Sequence, residues 1–321
     1  MKLQLNTFKK IALTSYAQKW RRYYQARAWQ FRELQNAFPT ILCIDVGASY
    51  FAHTAWWFFL ETQNTKWIAV DPNEDNLAYS QFWPWKSDLR LVKTGLSEFG
   101  GLMTLYKTNI DSGSSLLKPI LHESISHRYN QNTANYFFPI QEIQIQTNTV
   151  AEIVSQFKMS PIIIKLDTQG SELSIVRGLL DSSFQKMVVG IEIECSLYSM
   201  PQYENSPRFW EVAEYLEKKG FELLNLDVFP SRKSTSKYKA KSREVSGECD
   251  AVFALRRDSI YAADIEIRLC LLGFYITNAF YHEAHSLLLA DKELSSYLES
   301  KNYEVGKLLN TLNRSKKSKT V

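Results

Sequence analysis

Four short apolar runs, each with a carboxylate at its end or one residue from it, constrain this chain more than anything else in it. Ile41–Val46 (ILCIDV) carries Asp45 and runs into Gly47. Lys66–Val70 (KWIAV) runs into Asp71, Pro161–Leu166 (PIIIKL) into Asp167, and the run from Met187 ends on Glu194. Short runs that stay apolar without alternating are those of strands buried on both faces. Helical stretches fall between them: Ala52–Glu61, Asn73–Gln81, Ser171–Leu180 opening after Gly170, and Pro207–Lys219 ended by Gly220. Further strands read at Leu89–Thr94, Phe221–Val228 and Asp250–Leu255. Gly100-Gly101 marks a hairpin turn with Leu102–Tyr106 returning, and Gln141–Gln146 alternates like a strand with one exposed face. Residues 116–140 have no clean period and read as irregular. Strands alternating with helices imply an α/β fold with a mostly parallel sheet.

The two ends differ from this middle. Residues 1–40 contain no glycine, space Tyr16, Trp20, Tyr23, Trp29 and Phe31 along a helical pattern, and meet a stop at Pro39. Such an aromatic stripe could lie on a membrane, but packing on its own domain is the simpler reading. From residue 259 the spacing is helical again, through Leu269, Leu271 and Leu272, then Leu287–Leu289 and Leu308-Leu309. Three parts follow: a basic helical extension at 1–40, a central α/β domain at 41–258, and a helical extension at 259–321 with a basic tail.

Charge follows the same division. The formal net charge of +4 splits into +7 over residues 1–40, +6 over Ser231–Arg243 and +5 over the last 21 residues, against −14 for the rest. Basic segments suit peripheral contact with a membrane surface or a polyanion, although solvated ends explain them as simply. No apolar stretch is long enough for a transmembrane segment, and Lys9, Lys10, Gln18 and Lys19 break the apolar core that a signal peptide needs. The four cysteines (Cys43, Cys195, Cys249 and Cys270) form no CxxC pair. Neither a metal site nor a disulfide framework is expected, and a cytoplasmic location fits.

In an open α/β sheet, ligands bind beyond the carboxyl ends of the strands, so Asp45, Gly47, Asp71, Asp167 and Glu194 are the candidate site. A glycine after the first strand lets a ligand approach the backbone. An acid after the second is placed to accept hydrogen bonds from the ribose hydroxyls of an adenosine cofactor. Asp45 as a turn former and Asp71-Pro72-Asn73 as a plain turn are the competing structural explanations. The G-x-G-x-x-G spacing for a pyrophosphate is absent, since Ala48, Ser49, Tyr50, Phe51 and Ala52 follow Gly47. A cofactor without phosphates, S-adenosylmethionine, fits that loop better than NAD.

With these residues in view, the chain resembles the FkbM-type family of S-adenosylmethionine-dependent methyltransferases. IDVGAS (Ile44–Ser49), AVDPNEDNL (Ala69–Leu77), IIIKLDTQGSELSIVRG (Ile162–Gly178) and ECDAVFAL (Glu248–Leu255) carry the match, with GLSEFGG and SGSSL beside them. The third is the most specific, with a K-[IL]-D-x-[EQ]-G-x-E core. The resemblance implies a Rossmann-like class I methyltransferase sheet with an antiparallel last strand, and methyl transfer usually to oxygen, with sugar hydroxyls as the acceptor. It implies that Asp45 and Gly47, with Ala48 and Ser49, hold the methionine end of the cofactor. Asp71 and Pro72 would take the ribose, Ser97 would lie near the adenine, and Asp167 near the methyl group. Tyr50-Phe51 depart from the family, which usually has a glycine there.

Methyl transfer from a sulfonium needs positioning, and a base when the acceptor is a hydroxyl. Asp167, Glu194, His122 and His127 are candidates. Glu172 reads as a cap on the helix after Asp167, and Lys165 as structural. Two other functions stay open: a methyltransferase fold that has lost catalysis and serves as a scaffold, and a nucleic-acid methyltransferase, which lacks an N-P-P-Y-type motif here.

Overall fold

In the computed structural model the described residues are 29–48, 56–80, 87–120, 138–197, 202–230, 246–260 and 263–315. The runs that read as buried strands are strands: β1 (Ile41–Val46), β2 (Thr65–Val70), β3 (Asp88–Val92), β7 (Ile162–Leu166) and β8 (Val188–Ser196). They pair in parallel in the order β3-β2-β1-β7-β8. Two more strands, β9 (Phe221–Pro230) and β10 (Ser246–Leu255), complete the sheet as β8-β10-β9, and β10 runs antiparallel to both neighbours. All six residues of β1 are buried, as its unbroken apolar run requires at the centre of a sheet covered on both faces.

Alternate residues of the strands feed two cores. On one face Leu42, Ile44, Val46, Ile164, Ile191 and Phe253 pack with helices α3 (Val150–Val154), α4 (Glu172–Leu180) and α5 (Phe209–Lys218). On the other face Cys43, Trp67, Ile163, Val189 and Ala254 pack with α1 (Trp57–Leu60) and with α7 (Ile265–Thr277), α8 (Tyr281–Ala290), α9 (Lys292–Ser300) and α10 (Val305–Ser315). The short helices α2 (Glu74–Ser80) and α6 (Arg257–Ile260) follow β2 and β10. Helix α7 buries residues all round, from Ile267 to Ile276, because it lies between the sheet and the other C-terminal helices. Gly190 on β8 and Gly273 on α7 permit that approach. A Cβ at Gly190 would stand 2.5 Å from the Phe274 ring, and one at Gly273 would stand 2.8 Å from the Phe38 and Phe59 rings. Within the layer, the Arg268 guanidinium pairs with Asp291 at 3.1 Å, both side chains buried.

Of the segment expected to be helical before Pro39, only the end is described. It is a 3-10 helix over Trp29–Ala37, whose Phe31 and Leu34 enter the core with Phe38.

A second, three-stranded sheet departs from the sequence reading. Strands β4 (Gly95–Leu96), β5 (Gly101–Thr108) and β6 (Pro139–Asn148) run in the order β4-β6-β5. Gly100-Gly101 therefore does not close a hairpin. The chain turns there, and both flanking strands pair with the later strand β6, parallel for β4 and antiparallel for β5. Both glycines have positive φ, which suits the turn but does not specify which strand pairs next. Cys195 and Cys249, far apart in sequence, face each other across β8 and β10 as free, buried thiols. Among the described residues no helix is long and apolar enough to cross a membrane.

Candidate functional site

A cavity of about 450 Å³ opens at the carboxyl edge of β1, β2 and β7, within the usual range for small-molecule sites. Val46, Gly47, Asp71, Pro72 and Asp167 line its main-sheet side. Leu105, Ile143 and Ile145 of the small sheet line the facing wall. Leu105 and Ile143 are direct cross-strand partners, as are Met103 and Ile145, so one face of the small sheet turns its apolar side chains inward. The cavity thus joins an apolar wall to a carboxylate rim.

Gly47 has φ +75°, and a Cβ there would stand 1.9 Å from the Asp167 carbonyl oxygen. Its lack of a side chain is required first by the crossing of the two strand-end loops, a reason that the reading from ligand approach alone had missed. Asp71 is buried at the end of β2. Its Oδ1 accepts from the Asn73 backbone N–H at 2.6 Å and from the Asn76 amide at 3.3 Å. Burial pushes its pKa up to about 7. The Asn73 and Asn76 hydrogen bonds oppose that rise, and the Asp111 and Asp45 charges add to it.

Asp167 and Glu194, expected on neighbouring strand ends, are brought together by a residue that the strand-end reading passed over. The Gln169 amide donates to Asp167 Oδ1 at 3.2 Å and to Glu194 Oε2 at 2.8 Å. The Tyr203 hydroxyl lies 3.2 Å from Gln169 Oε1, and the Gln169 carbonyl accepts from Ser115 Oγ at 2.7 Å. It holds φ +59°, an uncommon conformation for a side chain other than glycine. The [EQ] of the family motif marked this position, but only the fold shows what it touches. Lys165, on the same strand end, donates to Asp167 Oδ2 at 2.9 Å. Burial alone would raise the Asp167 pKa; the Lys165 ammonium outweighs it and holds the carboxyl below its ordinary value. Glu194 lies well above its ordinary value, through burial first and then the Asp167, Glu248 and Glu172 charges. The two carboxyls therefore differ in acidity, Asp167 giving up its proton more readily than Glu194.

Glu172 is a cap of a more extended kind than the sequence suggested. Its buried carboxylate accepts from the backbone N–H groups of Thr168 and Gly170, at 2.7 and 3.0 Å, and from Thr168 Oγ1 at 3.1 Å. It shapes the loop that carries Gln169, and burial lifts its pKa to about 7.

The other expected residues divide. Gly47, Asp71, Pro72 and Asp167 line the cavity. Asp45 is buried on β1 in register with Lys165. Ala48 is buried in the α7-side core, away from the cavity lining. Ser97 does not line this cavity either. Its hydroxyl is shared with Thr147 Oγ1 at 2.9 Å and accepts from the Gly100 N–H, which fixes the small sheet at its turn. Ser49, Tyr50, Phe51, His122 and His127 lie outside the described residues.

A sheet in this strand order, with an antiparallel β10 between β8 and β9 and a cavity at the carboxyl edge beside β1 and β2, is the Rossmann-like arrangement expected of a class I methyltransferase. The Methyltransferase FkbM domain matches residues 45–223, more than half of the chain, and the protein belongs to that family of S-adenosylmethionine-dependent methyltransferases. No curated protein matches it. Among solved structures it is similar to an S-adenosylmethionine-dependent methyltransferase from Anabaena variabilis (10% identity, 76% of this chain and 95% of that one, TM-score 0.33). It is also similar to precorrin-6y C5,15-methyltransferase from Geobacter metallireducens (10% identity, 72% and 88%, TM-score 0.30). A third is a TehB-like methyltransferase from Corynebacterium glutamicum (13% identity, 77% and 99%, TM-score 0.26).

Proposed function

We propose that this methyltransferase acts on a hydroxyl acceptor, a sugar or similar polyol, and that the carboxyl-edge cavity holds its cofactor. The observation that carries the reading is the Asp167–Gln169 pair on the cavity lining, with the Gln169 amide joining Asp167 to Glu194 behind it.

The cavity residues fit S-adenosylmethionine. Asp71 supplies an acceptor for ribose hydroxyls, Leu105, Ile143 and Ile145 an apolar surface for adenine, and the Gly47 turn the room for the methionine end. When bound, the cofactor supplies a methyl group on a positively charged sulfur that leaves as a neutral thioether. The chain's own part is to orient the acceptor and take a proton. Asp167, held ionised by Lys165, accepts the hydrogen bond of the acceptor hydroxyl and then its proton, while the Gln169 amide keeps the carboxylate aimed. Glu194, whose carboxyl burial holds well above its ordinary value, shares the Gln169 amide with Asp167 and so helps to fix it.

Asp167→Asn removes the base but keeps the shape. Turnover is expected to fall about 100-fold or more, with affinity for S-adenosylhomocysteine within about threefold of the parent. The check is transfer of labelled methyl from S-adenosylmethionine to a panel of sugars, beside calorimetry with S-adenosylhomocysteine. Equal loss in both would move Asp167 to the cofactor side.

A further inference from the structure

The cofactor cavity has a polar residue on the wall that the main sheet does not supply. After β5 the chain makes one 3-10 turn, Asp111–Gly113, and folds back on the strand it has just left, pairing Ser115 with Tyr106. Side chains lock the turn from both sides. Ser114 Oγ accepts from the Thr108 N–H at 3.1 Å, the Gly113 carbonyl accepts from the Tyr203 hydroxyl at 2.8 Å, and Ser115 Oγ donates to the Gln169 carbonyl. The result is that Asp111, from the small sheet, lines the cavity alongside Asp71, from the main one.

The two carboxylates are tied through one amide. Asn76 Nδ2 donates to Asp71 Oδ1 at 3.3 Å and to Asp111 Oδ2 at 3.0 Å, and Asn73 Nδ2 also donates to Asp111 Oδ2. On each side, these bonds engage a single carboxylate oxygen: Oδ1 of Asp71 and Oδ2 of Asp111. Lys107, 3.9 Å from Asp111 Oδ1, gives partial compensation for the second negative charge. Setting two carboxylates this close is unfavourable by itself, since each raises the cost of ionising the other. A ligand carrying two neighbouring hydroxyls would offset that cost, because each could donate to one carboxylate.

We propose that Asp111 is a second ribose-binding residue, so that the cofactor's two hydroxyls are shared between Asp71 of the main sheet and Asp111 of the small one. This rests on the cavity being the cofactor site. It makes the small sheet part of cofactor recognition, since it would read the diol as well as cover the adenine.

The test is calorimetric titration of the full chain and of its Asp111→Asn, Asp111→Ser and Asp71→Asn variants. The ligands are S-adenosylhomocysteine and its 2′-deoxy and 3′-deoxy analogues. Asn at 111 keeps an oxygen for the Asn73 and Asn76 amides, and Ser serves as the second variant. Each comparison between ligands is made within one variant, so a general loss of stability cancels. Asp111→Asn is expected to weaken S-adenosylhomocysteine about tenfold and to lose most of the parent's discrimination against one of the two deoxy analogues. Asp71→Asn should lose discrimination against the other. Unchanged affinity in Asp111→Asn, or a loss that is the same for all three ligands, overturns the role of Asp111 while leaving the cavity assignment intact if Asp71→Asn is still weakened. Failure of both variants to alter binding would overturn the assignment itself.

Discussion

At the scale of single residues, burial of carboxylates sets the behaviour of the site. Asp71 and Glu172 both titrate near pH 7 in the folded chain, against ordinary values of 3.8 and 4.5. Their folded values are raised, so the stability they contribute is fully present below about pH 4 and is lost as pH rises through about 7. Cofactor binding should run the opposite way, because ribose hydroxyls donate best to an ionised Asp71. Affinity for S-adenosylhomocysteine is expected to rise several-fold from pH 6 to pH 8, and to do so much less in Asp71→Asn. Calorimetry at the two pH values checks this, and a parent affinity that falls over that range would speak against Asp71 as the ribose ligand. Asp45, Gly47, Asp71 and Asp167 were legible because each sits where an apolar run ends. Asn76, Asp111 and the contacts of Gln169 were not, because their meaning depends on which distant loop arrives beside them. The strand end also pointed to Gly47 for an incomplete reason. Its φ of +75° and the Asp167 carbonyl require a glycine whether or not a ligand approaches.

At the scale of elements, glycines decide how closely layers approach. Gly178 of α4 lies where a Cβ would stand 2.8 Å from the Glu98 carbonyl, and Ser174, one turn earlier, accepts the Glu98 N–H at 3.2 Å. This is how the helix after Asp167 holds the small sheet's first turn, and why a glycine closes the most specific motif. Gly190 plays the corresponding part for α7. Gly190→Ala would drive a methyl into the Phe274 ring and is expected to cost about 1–3 kcal/mol, read as a lower urea midpoint with an unchanged slope. An unchanged midpoint would mean that α7 can shift on the sheet without loss. The strands of the main sheet were readable because their burial writes an apolar run into each. The small sheet was only partly so. β5 and β6 were visible as strands, but the pairing of β4 with β6 joins residues about 50 apart, and nothing local in the sequence encodes that.

At the scale of the whole molecule, the C-terminal helices form one of the two layers that cover the sheet. Leu269, Leu272, Phe274 and Ile276 share a core with Cys43, Trp67, Ile163 and Val189. Helical spacing predicted the helices but not the surface they cover, because periodicity names a buried face without naming its partner. A chain ended after Ile260 would expose that face of β1, β2, β7 and β8. It is expected to lose cooperative thermal unfolding and to bind an apolar dye. A sharp transition in the truncated chain would show the α/β part to be self-sufficient.

The central claim is that the cavity between Asp71, Gly47 and Asp167 binds an adenosine cofactor without phosphates. Calorimetric titration of the full chain with S-adenosylhomocysteine and with NAD, repeated on Asp71→Ala, tests it most directly. The account predicts saturable one-to-one binding of S-adenosylhomocysteine, none of NAD, and a loss of about 30-fold or more in the folded Asp71→Ala variant. Preference for NAD, or an affinity for S-adenosylhomocysteine that survives the substitution unchanged, would contradict it.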